Sequence, residues 1–571
     1  MDRVANVLEQ QYPAFNSNWG VSVVPVREQL VGEIKPALRV LLLAVAFVLL
    51  IACANVANLM LSRATSRRKE IAVRLAIGAG RWRVLRQFLV ESLILAFAGG
   101  FSGLLLATFA VDALVSLTPQ NLINRQDVDL NVTVLCFTFG IALLTGLFFG
   151  TLPGLEAGKS NLHEALQEAG RSNSAGARSR RVRQALVVVE VALAFVLLVG
   201  AGLMIQSFVQ MRSINPGFDA QNLLTMRVLL PRAKYPNDAA RIAFFRKAVD
   251  GIGKLPGVRS ASAASAPPFA GLGAATGFTI VGQPAPETKD VMLTDVRATD
   301  ENYFRTMNIP LVSGRTFTPQ EAIEDRHVVV INEALARAHL AGMNPIGQRL
   351  MIDMNNAKEP TEIIGVVGDV SYARLEGERR PMVYWPHSQL PLSGMTIVVR
   401  TERNPLALGR AAQLEILALD KDQPVADLRT MESYIGESIA RLRFGTLVLD
   451  AFASLALILA LVGIYSVMSY SVTQRTQEIG IRLALGARPP AILGIVVGQG
   501  LLLAGAGITV GLGAAFGLTR LMRSLLYNVS PTDPKTFAFI TVLLGFAGLL
   551  ACYIPARRAT KVDPITALRY E

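Results

Sequence analysis

Long apolar runs separated by short polar segments dominate this chain. Each run holds roughly 20 residues, which is the length that an α-helix needs to cross the hydrocarbon core of a bilayer. The pattern therefore predicts an α-helical integral membrane protein with about seven transmembrane helices. The predicted spans are Val40–Leu61, Phe88–Val111, Val132–Leu152, Gln184–Ile205, Phe444–Met468, Ala491–Leu518 and Thr536–Pro555.

Between the fourth and fifth runs, the pattern changes to that of a folded domain outside the bilayer. Strand-like aliphatic runs recur within Ser207–Arg443, at His327–Asn332, Ile363–Val370 and Met395–Arg400. The segment Asp238–Gly257 has helical apolar spacing and ends at a Gly-Lys-Leu-Pro-Gly stop. We therefore expect a large mixed α/β extracytoplasmic domain.

Basic residues in the short loops predict the orientation. The segment Ser62–Gln87 holds eight arginines and lysines and Glu156–Arg183 holds six, whereas Asp112–Asn131 between them has Arg125 as its only basic residue. Short loops rich in Lys and Arg stay on the cytoplasmic side. The first two segments are thus predicted to be cytoplasmic, together with Ser469–Pro490 and the C-terminus, and the α/β domain is predicted to lie outside.

One polar phrase occurs twice between apolar runs. Arg67–Ala79 and Arg475–Ala487 share eight identical positions at a constant offset of 408 residues. A repeat at a fixed offset, flanked each time by membrane-length runs, indicates two copies of one membrane module. Each copy is predicted to place the same short helix on the cytoplasmic side.

The repeated helix has the composition of a docking element. In each copy a glutamate and an arginine lie four residues apart and can pair, an isoleucine and a leucine form an apolar stripe, and a glycine can stop the helix. From the residues alone, a surface loop that only satisfies membrane topology is an equally good interpretation. The candidate residues are Glu70, Ile71, Arg74, Leu75 and Gly78 in the first copy and Glu478, Ile479, Arg482, Leu483 and Gly486 in the second.

Three acidic residues fall inside predicted spans, namely Glu91, Glu190 and Asp450. Ionisable groups in lipid are costly and often functional, which admits a proton relay. However, Glu91 aligns with the uncharged Gln499 at the repeat offset, which argues against a symmetric relay. Polar contacts between helices, or placement near helix ends, are the favoured interpretation, and the glycines of Gly498–Gly517 are expected to allow close helix packing.

Net charge and cysteine content add little chemistry. The net charge of +13 sits beside the apolar runs and not in a nucleic-acid-binding signature, so membrane topology explains it and no nucleic acid partner is predicted. The three cysteines, Cys53, Cys136 and Cys552, all lie in apolar runs and form no Cys-x-x-Cys site. No cofactor is expected.

Signals for enzymatic activity are weak. The segment Gly154–Ser160 has three residues between its glycines where a phosphate-binding loop needs four, and it follows a membrane run instead of a strand. His163 precedes a glutamate as in zinc proteases, but Gln167 stands where the second ligand would be. No Gly-x-Ser-x-Gly motif occurs. The chain is therefore predicted to be a non-catalytic subunit.

A family resemblance rests on the repeated phrase and on several further motifs. The pattern Glu-Ile-x-x-Arg-x-Ala-[Ile/Leu]-Gly-Ala between two spans, with three spans grouped after an extracytoplasmic domain, resembles the FtsX-like permease domain of MacB-type ABC transporters. The duplicated layout is most similar to the acidobacterial-type duplicated orphan permeases. Further matching pieces are EVALAFVLLVGAGLMIQSF from Glu190, PGFD from Pro216, YF at Tyr303, GR at Gly314, VVVINE from Val328, NPIGQRL from Asn344 and IIGVVGDV from Ile363.

The resemblance implies a function that the residues alone do not show. It implies that the repeated helices contact a separate ABC ATP-binding subunit, and that ATP-driven motion moves the external domain to expel or extract antimicrobials, peptides or lipoproteins. It also implies the bacterial inner membrane as location, with a periplasmic or outer-membrane partner and self-association as further interactions. The alternative is an FtsX-like signalling or scaffold protein that regulates an envelope partner without transport. A membrane protease comes third, because no catalytic constellation supports it.

The two modules are expected to be unequal. The helix at 184–206 and the domain behind it have no counterpart in the first half, so we expect a chain that lacks the N-terminal part of an eight-helix protein. The expected layout is a remnant of a first extracytoplasmic domain at 1–37, an FtsX-like module at 38–155, a cytoplasmic linker at 156–183, a transmembrane helix at 184–206, a MacB-like periplasmic domain at 207–443 and a second FtsX-like module at 444–571.

Overall fold

The computed structural model describes most of the chain and divides it into two compact units. The α/β unit comprises residues 1–28 and 211–439, and the helical unit comprises residues 29–210 and 440–571. The described residues are 2–11, 23–26, 28, 32, 34–66, 81–117, 131–159, 174–271, 273–283, 292–319, 327–354, 359–372, 375 and 377–560. The first copy of the repeated phrase therefore lies outside the described residues, as do His163, Gln167 and Ser160.

Helices account for nearly all of the described helical unit, and shorter helices also occur in the α/β unit. In chain order they are α1 (Asp2–Gln11), α2 (Lys35–Ser66), α3 (Arg81–Leu117), α4 (Val132–Lys159), α5 (Ser174–Arg212), α6 (Asp238–Gly253), α7 (Tyr303–Met307), α8 (Glu333–His339), α9 (Gly409–Leu419), α10 (Met431–Ser438), α11 (Ala440–Gln474), α12 (Thr476–Ala484), α13 (Pro489–Leu518) and α14 (Pro534–Ala559), with 3₁₀ turns at Pro405–Leu408 and Thr519–Leu525.

Six of these helices are long and apolar enough to cross a membrane, counting only the part of the chain that the structure describes. The seventh predicted span corresponds to α4, whose described apolar stretch Val132–Leu147 is shorter than a span, although the helix itself continues to Lys159. The prediction of about seven spans is thus met by six helices on length and composition. The six are Lys35–Ser62, Leu89–Leu114, Arg180–Arg212, Ala440–Gln474, Pro489–Leu525 and Pro534–Ala559.

Helix α5 lies at the centre of the helical unit, although its sequence places it between the two modules. Its side chains share one apolar core with α2, α11, α13 and α14. A Cβ atom at Gly507 or Gly511 of α13 would overlap Val191 or Phe195 of α5. Glycine at these two positions therefore lets the two helices approach closely, as expected for the glycine-rich span.

The α/β unit is built on one eleven-stranded sheet. The strands are β1 (Leu223–Leu229), β2 (Val258–Ala264), β3 (Ala274–Ile280), β4 (Met292–Thr299), β5 (Leu311–Gly314), β6 (Val328–Asn332), β7 (Arg349–Ile352), β8 (Thr361–Val367), β9 (Met382–Pro386), β10 (Gly394–Thr401) and β11 (Val425–Thr430).

The sheet folds back on itself. Its order is β11-β1-β10-β2-β4-β3-β7-β8-β6-β9, with β5 paired to β8, and a parallel pairing of β9 with β4 closes six strands into a ring. Helices α6 and α9 pack on one apolar core, and α7 packs on a second one. The aliphatic runs at 328–332 and 363–367 are continuous because both strands, β6 and β8, are almost fully buried on both faces.

Candidate functional site

The second copy of the repeated phrase forms a short helix, α12, between two long ones. It starts directly after α11 and stops because Gly486 adopts a φ of +88°, a left-handed value that suits glycine. The amide of Ala487 donates to the carbonyl of Arg482 at 2.9 Å, and the amide of Gly486 donates to that of Leu483 at 3.0 Å. This pair of bonds is a Schellman motif, which fixes where the helix ends.

A charged pair lies on the solvent side of α12. Arg482 donates to the carboxylate of Glu478 at 2.6 Å, one turn away, and Arg475 lies 3.9 Å from the same carboxylate. Both side chains of the main pair are about half exposed, so the pair adds at most about 0.5 kcal/mol to helix stability. Its charges are available to a partner.

The apolar stripe of α12 faces inward. Ile479 is only 7% exposed and packs with Ile492 of α13 and Ala559 of α14, and Leu483 is partly buried against the same group. In the second copy, the helical unit itself thus covers much of this stripe. The stripe fixes α12 to the ends of two long helices.

Two exposed apolar residues, one in α12 and one at its C-cap, are not among the candidates that the sequence pattern predicted. Ile481 is 43% exposed and Leu485 is 82% exposed, and they lie four residues apart on the side away from Ile479. The signal was present, because the first copy carries Val73 and Ile77 at the equivalent positions. The repeated phrase therefore has two apolar pairs, each with a spacing of four residues, on two faces of this short helix. The helical unit can cover only one of these faces.

Glu70, Ile71, Arg74, Leu75 and Gly78 all lie outside the residues that the structure describes. Their proposed role rests on the repeat alone.

The three acidic residues inside the spans differ in their surroundings. Glu190 on α5 is fully buried and accepts a hydrogen bond from the amide of Asn58 on α2 at 3.3 Å. Asp450 on α11 has one buried carboxylate oxygen with no hydrogen-bond partner in the described structure. Glu91 accepts a bond from Gln87 on its own helix α3 at 3.3 Å. Of the three, Glu190 makes a polar contact between helices.

A further contact joins α5 to α11. The guanidinium of Arg183 lies 3.9 Å from the centre of the Tyr470 ring, and Arg183 is buried. A cation over an aromatic face is attracted by the ring, typically by about 0.5–2 kcal/mol. This contact holds the N-terminal part of α5 against the end of α11, six residues before α12 begins.

The motifs of the α/β unit meet around strand β8. A Cβ atom at Gly365 would overlap the carbonyl oxygen of Arg315, and one at Gly314 would overlap that of Ile364, so the two backbones approach more closely than other residues allow. Likewise, a Cβ atom at Gly217 would overlap the carbonyl oxygen of Asp369. These motifs are therefore explained by packing of the domain and not by chemistry.

A small cleft of about 50 Å³ opens where the parallel strands β4 and β9 end. His387, which follows β9, is only 6% exposed and its ring meets the Phe245 ring edge-on at 5.4 Å. Burial lowers the pKa of His387 to about 4, although a hydrogen bond to the carbonyl of Leu392 acts in the opposite direction. The imidazole is thus neutral in the folded unit at neutral pH.

This buried histidine predicts acid sensitivity of the α/β unit. Between pH 6.5 and about 4 the unfolded chain binds a proton at His387 that the folded unit does not. The free energy of unfolding therefore falls as the pH drops through that range, by up to about 3 kcal/mol. Urea unfolding of the detergent-solubilised chain, followed by the fluorescence of the buried Trp385, measures the effect. The free energy of unfolding of His387→Gln is expected to depend less on pH than that of the wild type. An identical pH dependence in both proteins would contradict the role of His387.

Among the described residues, no three His, Cys, Asp or Glu side chains are grouped so that they could hold a metal ion. The site thus consists of a surface helix with charged and apolar groups, attached to membrane-length helices. This arrangement, with an α/β unit inserted between membrane-length helices, defines a multi-pass membrane protein with a large folded domain between its spans.

Comparison with known proteins gives the family. The family model for the FtsX-like permease C-terminal domain matches residues 42–162 and again 451–564, and that for the MacB-like periplasmic core domain matches residues 185–413. This chain therefore belongs to the family of FtsX-like permeases with a MacB-like periplasmic core domain, and it has two of the former domains and one of the latter.

Similar proteins include exporters and permeases. The macrolide export ATP-binding/permease protein MacB of Azoarcus sp. (strain BH72) is 29% identical over 292 residues, which cover 49% of this chain and 43% of that protein. The uncharacterized ABC transporter permease YknZ of Bacillus subtilis (strain 168) is 25% identical over 349 residues, covering 59% of this chain and 82% of that protein. The periplasmic region of MacB from Actinobacillus actinomycetemcomitans aligns at 16% identity with a TM-score of 0.28, covering 40% of this chain and 97% of that structure. The match thus spans less than half the length of the Azoarcus protein.

Proposed function

We propose that this chain is the permease subunit of an ABC transporter, in which α12 receives motion from an ATP-binding protein on a separate polypeptide. The observation that carries the proposal is the two-sided character of α12. One side is fixed to the helical unit through Ile479, and the other presents Glu478, Arg482, Ile481 and Leu485 to solvent. A helix with these two sides can bind a partner and pass on its displacement.

The first step of transmission is the attachment of α12. Because Ile479 packs against Ile492 and Ala559, a push on α12 is passed directly to the ends of α13 and α14. The chain also runs into α12 from α11 through Arg475 alone, so α11 is displaced with it. A close-packed interior transmits such a displacement instead of absorbing it.

The second step is the connection to the α/β unit. Helix α11 begins at Ala440, directly after α10 ends the α/β unit, and α5 leads into β1 at the other connection. Both connections are thus continuous with helices that share the core of the helical unit. Motion that starts at α12 reaches the extracytoplasmic domain through α11, which is the mechanism called mechanotransmission.

The proposal includes the setting and the cargo. The chain would lie in the bacterial inner membrane with the α/β unit in the periplasm and the C-terminus in the cytoplasm, as the distribution of basic residues predicts. Antimicrobials, peptides or lipoproteins would be expelled or extracted on the outer side, in keeping with the macrolide export named for the Azoarcus relative.

Capture of an ATP-binding protein tests the proposal. The tagged chain is purified from solubilised native membranes, and the bound ATP-binding protein is quantified by mass spectrometry. The double variant Arg74→Glu, Arg482→Glu is expected to retain at least tenfold less of it, because both copies of the helix then repel a complementary acidic surface. Arg523→Glu makes the same charge change on the predicted outer side and should retain the wild-type amount.

A charge swap separates partner contact from helix stability. Glu478→Arg combined with Arg482→Glu keeps a pair of opposite charges four residues apart, yet it is expected to lose part of the captured protein. Failure of the correctly inserted wild-type chain to capture any ATP-binding protein would overturn the proposal. Stoichiometric capture of an envelope hydrolase in its place would support the signalling or scaffold function.

A further inference from the structure

A buried polar cluster joins three helices of the helical unit. Glu190 on α5 is completely buried, and the amide of Asn58 on α2 donates to its Oε1 atom at 3.3 Å. The other carboxylate oxygen, Oε2, has no hydrogen-bond partner, and neither has the amide oxygen Oδ1 of Asn58. Two buried acceptor atoms of one contacting pair are therefore left without a donor.

No described countercharge faces the Glu190 carboxylate. On α5 the nearest basic residue with a described contact is Arg183, which stacks on Tyr470 and lies about 10 Å away along the helix axis. On α11 the acidic Asp450 lies 13 positions before Gly463, the residue that faces Glu190, which is about 20 Å along the axis. The described groups that face the carboxylate from α2 and α11 are uncharged. An ionised carboxylate here would have no cation to offset the loss of water.

We propose that Glu190 is a proton-binding site, in which a neutral carboxylic acid forms a reciprocal pair with the side-chain amide of Asn58. In this pair the Asn58 N–H donates to Oε1 of Glu190, and the Glu190 Oε2–H donates to Oδ1 of Asn58. The added proton is the one donor that the two unpartnered oxygens require. The acid–amide ring uses every polar atom that faces its partner, as buried polar pairs in proteins generally do.

The pair lies beside a second contact that joins the two modules. The amide of Asn55 on α2 donates to the carbonyl of Ile51 at 3.2 Å and to that of Leu459 on α11 at 3.1 Å. Leu459 is the residue equivalent to Ile51 at the repeat offset of 408, so one amide bridges the same carbonyl of both modules. Helices α2 and α11, which lead into the two repeated phrases, are thus joined at equivalent levels.

Gly463 makes room for the acid. It is the residue equivalent to Asn55 at the same offset, and a Cβ atom there would overlap Oε2 of Glu190. The carboxylic acid of α5 therefore fills the space that a side chain of α11 would occupy. When Glu190 is protonated, the pair holds α2, α5 and α11 together. When the proton is lost, a negative charge remains buried between the three helices, and water can reach it only if the helices separate. This inference does not depend on the proposed coupling to an ATPase.

Infrared spectroscopy on the full chain in lipid nanodiscs tests the protonation state. The spectrum of wild type minus Glu190→Gln at neutral pH is expected to show the carbonyl stretching band of a protonated carboxylic acid. Glu190→Gln is nearly isosteric and can form the same reciprocal pair with Asn58, so it should fold. A carboxylate band in the difference spectrum, without an acid band, would overturn the proposal and indicate a bound cation or water instead. The difference spectrum of Asp450→Asn serves as the matched control for another acid inside the spans.

Melting temperatures in the same nanodiscs test the reciprocal pair. Glu190→Gln is expected to melt with the wild type, whereas Glu190→Leu and Asn58→Leu each leave a partner unpaired and melt lower, by about 2–4 °C or more. The double variant Glu190→Leu, Asn58→Leu should recover much of that loss, because no buried polar atom remains unpaired. Equal losses for Glu190→Gln and Glu190→Leu would contradict the pair. Gly463→Ala is expected to be destabilising alone and to be tolerated when combined with Glu190→Ala.

Discussion

Leu485→Ala is expected to weaken binding of the ATP-binding partner by about tenfold to a hundredfold. Leu485 is 82% exposed at the end of α12, next to the exposed Ile481, and the helical unit does not use it. If the partner buries this side chain, truncation removes most of the free energy of burying a leucine, which is roughly 1.5–3 kcal/mol. The amount of ATP-binding protein bound to the purified chain, titrated with the partner identified by capture, measures the loss.

Leu483→Ala is the matched control for this prediction. It makes the same change two residues earlier on the inner face of α12, where Leu483 packs beside Ile479. We expect it to lower the melting temperature of the helical unit and to leave partner affinity within about threefold of wild type in the folded fraction, because the helical unit already covers much of this side chain. Equal losses of affinity in both variants would mean that partner binding depends on the placement of the whole helix α12 and not on contact with the Leu485 side chain.

Gly365→Ala is expected to destabilise the α/β unit by at least about 3 kcal/mol. An added Cβ would overlap the carbonyl oxygen of Arg315 on the paired strand segment, and both groups are backbone that cannot rotate away. Overpacking of a close-packed core costs about 1–3 kcal/mol when side chains can adjust, and here they cannot. Denaturant unfolding of the full chain, followed by Trp385 fluorescence, reports on this unit because Trp385 is buried within it.

Gly436→Ala provides the comparison. Gly436 lies in α10 of the same unit, and a Cβ there would meet nothing within 4 Å. Alanine favours the helical state over glycine, so this variant should be as stable as the wild type or slightly more so. Similar unfolding midpoints for Gly365→Ala and Gly436→Ala would show that the backbone around β8 can relax, and the packing explanation of the motif would then be wrong.

The helical unit could be predicted well from the sequence because the bilayer imposes a length. Runs of about 20 apolar residues predicted the spans, and the repeat predicted two modules of one type. The face that α12 presents could not be predicted, because both of its faces carry apolar residues. Only the packing of Ile479 on Ile492 and Ala559 shows which face is covered. A nine-residue helix has too few positions for the apolar pattern alone to decide.

The α/β unit could be predicted less completely from the sequence. Three of its eleven strands and its main helix were predicted from local patterns, but the closure of the sheet by β4 and β9 joins residues almost ninety positions apart. The glycines at 314 and 365 likewise have meaning only as a pair across β5 and β8. The local sequence shows that a glycine is present, but the backbone atom that excludes a side chain there belongs to a segment distant in sequence.

The bridge made by Asn55 determines whether one half of the chain could replace the other. In a dimer of two identical modules, both copies would carry asparagine at the position of Asn55. Only one of the two side-chain amides could then bridge the carbonyls of Ile51 and Leu459. Covalent fusion removes that restriction, since one copy can keep the amide while the other, at Gly463, gives up its side chain to admit Glu190. With an amide at position 55 and a glycine at position 463, the two copies are not interchangeable at this level.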